Sequence, residues 1–307
     1  MLGYEDVGEA LQARPPQMVS VAPALWDDLE RWRSGAQWLQ AYEAAFANGR
    51  AFLRARDALR GRVPESIDWR GSAKPVDDEL VPADLRVDHV YLVSCKYLSK
   101  IVVNASPTRL FDNLLRTRTQ AERASWFEAV APRESAALER AARELADGRG
   151  SDIREVLRGT RWPEACRPAW SALCSAVAEA SAERWRVAMA TDDDRRRLLW
   201  RLLRIGPTPY FVLGAGEHGP LRLRVLTSWD WSHRYRVESF EVDAAAGGQP
   251  IVRWHADVRD RDLGTVVGVD GHVEVRWSHG RLNGAPEAKV YLDSPHAAVP
   301  GYLPLGA

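Results

Sequence analysis

The chain has 307 residues, 46% hydrophobic and 27% charged. That suits a soluble globular protein with room for one large or two ordinary domains, and it excludes collagen-like, disordered and disulfide-scaffold classes. Its 42 basic groups balance 42 acidic ones, so neither a general basic coat for nucleic acid nor an anionic-membrane binder is indicated at whole-chain level. The basic set is lopsided, with 38 Arg against 4 Lys, and three of the lysines, Lys74, Lys96 and Lys100, fall within 27 residues.

The opening residues are acidic and carry no signal-peptide apolar stretch, and no later run approaches the roughly 18 apolar residues of a membrane span, which predicts a cytoplasmic protein without a membrane partner. Cys95, Cys166 and Cys174 are odd in number and lack paired ligand spacing. Neither a disulfide framework nor a structural zinc is expected.

In chain order, residues 24–61 read as helix, with Leu25, Leu29, Trp32, Ala36, Leu39, Tyr42 and Phe46 on one apolar stripe, an interruption at Asn48-Gly49 and a stop at Gly61. Short β-rich runs follow at 67–69, 85–87 and 90–93. Ser106-Pro107 supplies a cap and a first-turn proline for a helix through Leu110, Phe111, Leu114 and Leu115. Residues 119–205 are helical almost throughout, with breaks at Pro132, 148–150 and 159–163, and Thr191 caps a start whose acids occupy the first turn. The triple Arg195-Arg196-Arg197 there reads as a solvated or acid-paired face in preference to a phosphate contact.

Beyond Gly206-Pro207 the pattern is β: strands at 209–213, 221–227, 234–242, 250–258, 264–269, 272–277 and 288–292, with a hairpin turn at Asp270-Gly271. The reading is therefore α+β in three consecutive parts: an N-terminal α/β domain (1–119), a helical middle segment (120–206) and a C-terminal all-β barrel or sandwich (207–307) that selects or positions a substrate. These parts carry 16 basic and 16 acidic, 16 and 14, and 10 and 12 groups, so any nucleic-acid contact is a local arrangement. Gly214-Ala-Gly216-Glu-His-Gly219 matches a dinucleotide fingerprint by letter, but it precedes a strand and reads as a hairpin turn.

The densest chemistry lies in Pro82-Ala-Asp84-Leu-Arg-Val-Asp88-His-Val-Tyr-Leu-Val-Ser94-Cys95-Lys96-Tyr97-Leu-Ser-Lys100. An acid opens one short strand, and a second, apolar strand ends in a polar-x-Lys step that puts Ser94 and Lys96 on the same face. A carboxylate there can hold a hard divalent cation, the Cys95 carbonyl can add a ligand, and an ammonium can orient an attacking water or stabilise a pentavalent phosphate. A plain strand with a snorkelling Lys is the alternative.

Six of the seven histidines, His218, His233, His255, His272, His279 and His296, fall in the β region without ligand spacing, and hydrogen-bonded structural roles outweigh a metal or acid/base site. Arg276 and Arg281, with Trp229, Trp231 and Trp254, present either a surface for stacking bases and contacting nucleic acid or a core of tryptophans.

The Asp84 and Ser94-x-Lys96 pattern resembles the restriction-endonuclease-like PD-(D/E)xK nuclease superfamily over residues 24–120, in the variant form of type IV restriction enzymes in which a neutral residue replaces the middle acid. The resemblance implies an αβββαβ nuclease core and a Mg2+- or Mn2+-dependent endonuclease that hydrolyses phosphodiester bonds of DNA, in restriction or phage defence. Asp84 would hold the metal, Asp88 would supply a second carboxylate, Lys96 would assist attack, and Ser94 would hold a water of the ion. Asp77 or Asp78 would replace Asp84 in a longer register, and Glu43 would reach in from the first helix. Lys74 and Lys100 are candidate phosphate contacts. The alternative is an inactive nuclease-like scaffold, or a nucleic-acid-binding subunit with protein partners in a defence complex.

Overall fold

A computed structural model describes residues 1–69, 83–112, 125–148, 162–216, 219–277 and 286–306, except the side chain of Gln37. Lys74, Asp77, Asp78, Leu114, Leu115, His218, His279, Arg281 and the breaks at 149–161 lie outside these residues. Along the chain run α1 (Val7–Ala13), β1 (Met18–Val19), α2 (Pro23–Arg33), α3 (Leu39–Arg54), β2 (Ile67–Trp69), β3 (Leu85–Val87), β4 (Tyr91–Tyr97) and β5 (Ile101–Ala105). Next come α4 (Trp126–Val130), α5 (Pro132–Asp147), α6 (Arg167–Ala188), α7 (Asp192–Leu202), β6 (Tyr210–Gly216), β7 (Gly219–Val225) and α8 (Ser228–Arg234). The last strands are β8 (Tyr235–Ala246), β9 (Pro250–Asp260), β10 (Val266–Trp277), β11 (Pro286–Leu292) and β12 (Tyr302–Pro304). Among the described residues no helix is long and apolar enough to cross a membrane.

The protein is mixed α+β, and it divides into two compact units that interleave in sequence. One takes Met1–Ser99, Arg204–Tyr235 and Pro295–Ala307; the other takes Lys100–Leu203 and Arg236–Ser294. The units do not follow the three consecutive segments 1–119, 120–206 and 207–307. Strand pairing decides this: β6 and β7 join a sheet with β4, whereas β5 pairs with β11.

The first unit holds a seven-stranded sheet in the order β1-β2-β3-β4-β6-β7-β12. Its β1–β2 and β4–β6 neighbours are parallel and the rest antiparallel. Gly216 opposes Gly219, so the glycine-rich stretch is the expected hairpin. The long helix expected over 24–61 is divided by a 3-10 turn at Ala36–Trp38, and α3 ends at Arg54. Asn48-Gly49 does not interrupt it. The Asn48 amide donates to the Gly214 carbonyl at 2.8 Å and its Oδ1 accepts from Arg222 Nε at 2.8 Å, so sheet partners satisfy a side chain that otherwise competes with helix backbone. Gly49 leaves room for Met1, whose backbone nitrogen would lie 3.0 Å from an added Cβ.

Phe52, Ala55, Ala58 and Leu59 pack with Ile67, Val87, Val93, Phe211 and Leu213 into this unit's core. Phe52 is fully buried and meets Tyr91 and Phe211 edge-on, with ring centroids 5.8 and 5.0 Å away. Phe52→Ala is expected to cost about 3–5 kcal/mol through lost transfer energy and a residual cavity. A shift of the urea midpoint at constant slope measures it.

The second unit is an open five-stranded sheet, β5-β11-β10-β9-β8, and not the expected barrel or sandwich. β6 and β7 pair in the other sheet, and helices cover the apolar face of this one: Val252, Trp254, Ala256 and Val258 are buried, and Trp170 of α6 donates to the Gly248 carbonyl at 2.8 Å. Asp270-Gly271 is not a turn, because β10 runs through it. Gly271 is needed for room: a Cβ there would lie 2.2 Å from the Trp254 ring and 2.6 Å from the Tyr291 carbonyl.

Helix α7 is capped as expected. Thr191 and Asp194 form a capping box, and Arg195, Arg196 and Arg197 pair with Asp192, Asp193 and Asp194.

On the solvent face of the second sheet, His255 places Nδ1 2.7 Å from Asp270 Oδ1 and Nε2 3.3 Å from Asp257 Oδ1. The Asp270 bond raises its pKa above 6.5 against desolvation, and Asp257 adds to the rise. A raised folded-state value stabilises fully below the unfolded value near 6.5 and is lost as pH rises through the folded one. Wild type should therefore melt above His255→Gln at pH 6, and this difference should shrink toward alkaline pH in parallel thermal scans.

Candidate functional site

The β3–β4 hairpin builds the site. Leu85 opposes Val93 and Val87 opposes Tyr91, so Asp84, just before β3, lies beside the Val93–Cys95 stretch of β4. Its N–H donates to the Val93 carbonyl at 2.8 Å. Its Oδ2 accepts the Cys95 N–H at 2.6 Å and the Ser94 hydroxyl at 3.4 Å. Ser94 is 1% exposed. Alternation along β4 puts Ser94 and Lys96 on one face and Val93 and Cys95 on the other. Asp84 and Ser94 are thus in contact, and Lys96 follows on the Ser94 side of β4.

Asp88 is not part of that group. It and His89 adopt left-handed φ angles of 49° and 57° in the turn at the far end of β4, about 17 Å of strand from Lys96 at the usual rise per residue. Its Oδ1 accepts the Glu65 and Ser66 N–H groups at 2.7 and 3.0 Å, and its Oδ2 lies 2.6 Å from Arg62. Desolvation would raise this carboxyl, but the Ser66, Arg62 and Glu65 bonds outweigh it and hold the pKa below the ordinary value. The expected second metal carboxylate is a turn anchor.

Glu43 is exposed on α3 and is not among the cleft-lining residues of that helix, Ala41, Ala44, Ala45 and Asn48. Helical spacing explains this, since positions 41, 44, 45 and 48 share a face that excludes 43. The cleft, of about 250 Å3, is completed by Cys95, Leu213 and Gly214. Cys95 opens into it, yet crowding by protein and the Asp84 carboxylate push its thiol up to about 12. A thiol so protonated at neutral pH is no nucleophile.

His296 feels the Lys96 charge, a relation that no spacing announces. It starts the 3-10 turn His296–Ala298 that precedes β12, with its ring 6.2 Å from that of Tyr302. Burial, and then the Lys96 ammonium, lower its pKa below 6.5, so its imidazole is neutral at pH 7.

Lys100 belongs to the second unit, as does Arg276 on β10, which opposes Glu287. Trp231 and Trp254 are core side chains, so the aromatic surface loses two of its three tryptophans; Trp229 is 68% exposed, with its ring tilted against that of His233 at 3.9 Å. Three other described histidines of the β region are engaged structurally: His233 with the Trp229 carbonyl, His272 with Asp293, and His255 as above. Among the described residues no group of three or more His, Cys, Asp or Glu is placed to hold a metal.

Asp84 nevertheless suits a hard cation. Both of its hydrogen bonds go to Oδ2, which leaves Oδ1 available among the described residues. Mg2+ is commonly held by one or two carboxylates, waters and substrate phosphate oxygens, so a single acid is a sufficient protein anchor. Compared with protein-family models, curated proteins and solved structures, the chain finds no match.

Proposed function

We propose that the chain is a divalent-metal-dependent endonuclease that hydrolyses DNA phosphodiester bonds on a restriction-endonuclease-like core. The observation that carries this reading is the junction at Asp84, whose Oδ2 is tied to the Cys95 N–H and the Ser94 hydroxyl beside the face that bears Lys96. The first unit supports it in part: α3 precedes the antiparallel β2-β3-β4 meander, and β6, which follows β5 and the helices of the second unit in sequence, pairs parallel to β4.

In this reading Asp84 Oδ1 would hold Mg2+ or Mn2+, which supplies Lewis-acid stabilisation of the phosphate when bound. Lys96 offers a compact ammonium to orient water and to offset charge on the phosphoryl oxygens. Ser94 fixes the Asp84 rotamer by donating to it. Restriction or phage defence is the proposed setting, and the second unit is the proposed selector of substrate. Incubation with duplex DNA, single-stranded DNA and RNA, with and without Mg2+ or Mn2+, tests it; metal-dependent cleavage of DNA is the expected result.

One observation favours a second reading. Ser94 stands where the family has an acid, leaving one carboxylate at the junction among the described residues. A nuclease-like scaffold or binding subunit that has lost its metal would show this. Mn2+ calorimetry separates the two: a scaffold gives no heat that Asp84→Asn removes.

A further inference from the structure

The exit of α3 and the strand β7 carry arginines that the local sequence does not balance. From residue 44 to 64 the chain has one acid, Asp57, against Arg50, Arg54, Arg56, Arg60 and Arg62. Arg62 is spent on Asp88. Strand β7 adds Arg222 and Arg224, which alternation puts on one face, and residues 219–229 contain no acid.

The fold joins these two stretches within the first unit. Arg222 Nε donates to Asn48 Oδ1 of α3 at 2.8 Å. The Arg222 carbonyl accepts the Leu305 N–H at 2.8 Å, and the carbonyl of the next residue, Gly306, accepts the Arg56 N–H at 3.1 Å. Arg56 and Arg222 therefore flank the same two residues. Arg60 folds back onto this point, its Nε donating to the Arg56 carbonyl at 2.6 Å. Arg224 opposes Phe211, whose ring lies 5.0 Å from that of Phe52, two residues before Arg54.

Arg54, Arg56 and Arg60 are exposed, and Arg224 is partly so. Among the described residues no carboxylate pairs with Arg54, Arg56, Arg60, Arg222 or Arg224. Asp57, the one acid of these stretches, accepts the Gly306 N–H at 3.3 Å. The run Arg195-Arg196-Arg197 is the contrast, since each of its members meets an acid. Five guanidiniums against one carboxylate make a local positive surface on a chain of zero net charge.

We propose that this surface binds the phosphate backbone of nucleic acid without reading its sequence. Charge complementarity argues for that occupant: guanidiniums spread over two adjoining elements suit a repeating phosphodiester better than one small anion, and each fork matches phosphate oxygens. The choice of nucleic acid over another polyanion rests on the function proposed above.

Fluorescence anisotropy with a labelled duplex, in EDTA so that no cleavage occurs, tests the inference over about 0.05–0.3 M NaCl. Replacing Arg54, Arg56 and Arg224 together by Ala should flatten the plot of log affinity against log salt by about 2.7, at about 0.9 per lost contact, and weaken binding more than about a hundredfold near 0.1 M. The same three changed to Lys should keep most of the slope. Replacing Arg195, Arg196 and Arg197 by Ala removes as much charge from the chain, yet should leave the slope unchanged.

Equal effects of the two Ala triples, an unchanged slope, or loss of the slope in the Lys triple would overturn the inference. So would a wild type that binds phosphatidylserine vesicles and neither DNA nor RNA. Binding that depends on this surface in a protein that never cleaves keeps the inference and sinks the nuclease. Cleavage with binding indifferent to the first Ala triple does the reverse.

Discussion

Asp84→Asn is expected to lower Mg2+- or Mn2+-dependent cleavage by about a hundredfold or more while leaving the fold intact, and Lys96→Ala to do the same. The asparagine keeps a carbonyl oxygen where the Cys95 N–H at 2.6 Å and the Ser94 hydroxyl at 3.4 Å donate, so the junction survives. It loses the negative charge a hard cation needs. The change in unfolding free energy should stay within about 1 kcal/mol, whereas Asp84→Ala orphans the Cys95 N–H and should cost about 1–3 kcal/mol more. Comparing the two variants separates chemistry from folding.

Lys96→Arg should not restore activity. The planar guanidinium is larger and keeps its proton more firmly than an ammonium, so it neither fits a water-orienting position nor tunes its pKa there. His296 would then face a different cation, because the Lys96 charge helps to keep its imidazole neutral. Steady-state cleavage and thermal melts of the four proteins, measured together, decide the matter. Activity that survives both Asp84→Asn and Lys96→Ala removes the nuclease assignment.

What the sequence disclosed of this site, and what it concealed, follows from the range of the interactions involved. Ser94 and Lys96 share a face because strand alternation is local, and Asp84 reaches them because ten residues suffice for a tight hairpin. The α7 cap was legible for the same reason: Thr191 and Asp194 are three residues apart. Asp88 looked like a ligand because the spacing that reveals a hairpin does not reveal which acid its turn consumes. Only the approach of Arg62 and of the Glu65 and Ser66 amides shows that.

His296 is separated from Lys96 by some 200 residues, and no period connects them. The same limit governs the sheets. The strands β6 to β11 were visible as β-rich runs, with β10 read as two and β12 not read, but the choice of partner is not encoded in a run's own composition, and β6 and β7 went to the first sheet. Asn-Gly at 48–49 and Asp-Gly at 270–271 carried turn chemistry in sequence, yet in the fold their glycines provide clearance for Met1 and Trp254.

Gly214→Ala is expected to be the most damaging single-methyl change in the first unit, with a loss above about 4 kcal/mol or outright failure to fold. A Cβ at this position would lie 1.6 Å from the Lys96 carbonyl oxygen and 2.6 Å from its carbonyl carbon. Both atoms are backbone, so no rotamer relieves the overlap. Gly214 opposes Lys96 in the parallel β4–β6 pair, and its own carbonyl accepts from Asn48 at 2.8 Å. Separating the strands to admit the methyl would therefore break the α3 anchor and displace Lys96 together.

Gly216→Ala is the matched control. Its Cβ would meet the Leu221 side chain at 3.3 Å, a contact that a rotamer adjustment relieves, and its cost should stay within about 1 kcal/mol. Urea midpoints of the two variants read the contrast directly. If Gly214→Ala is as stable as Gly216→Ala, the β4–β6 register that positions Lys96 is wrong, and with it the geometry on which the candidate site depends.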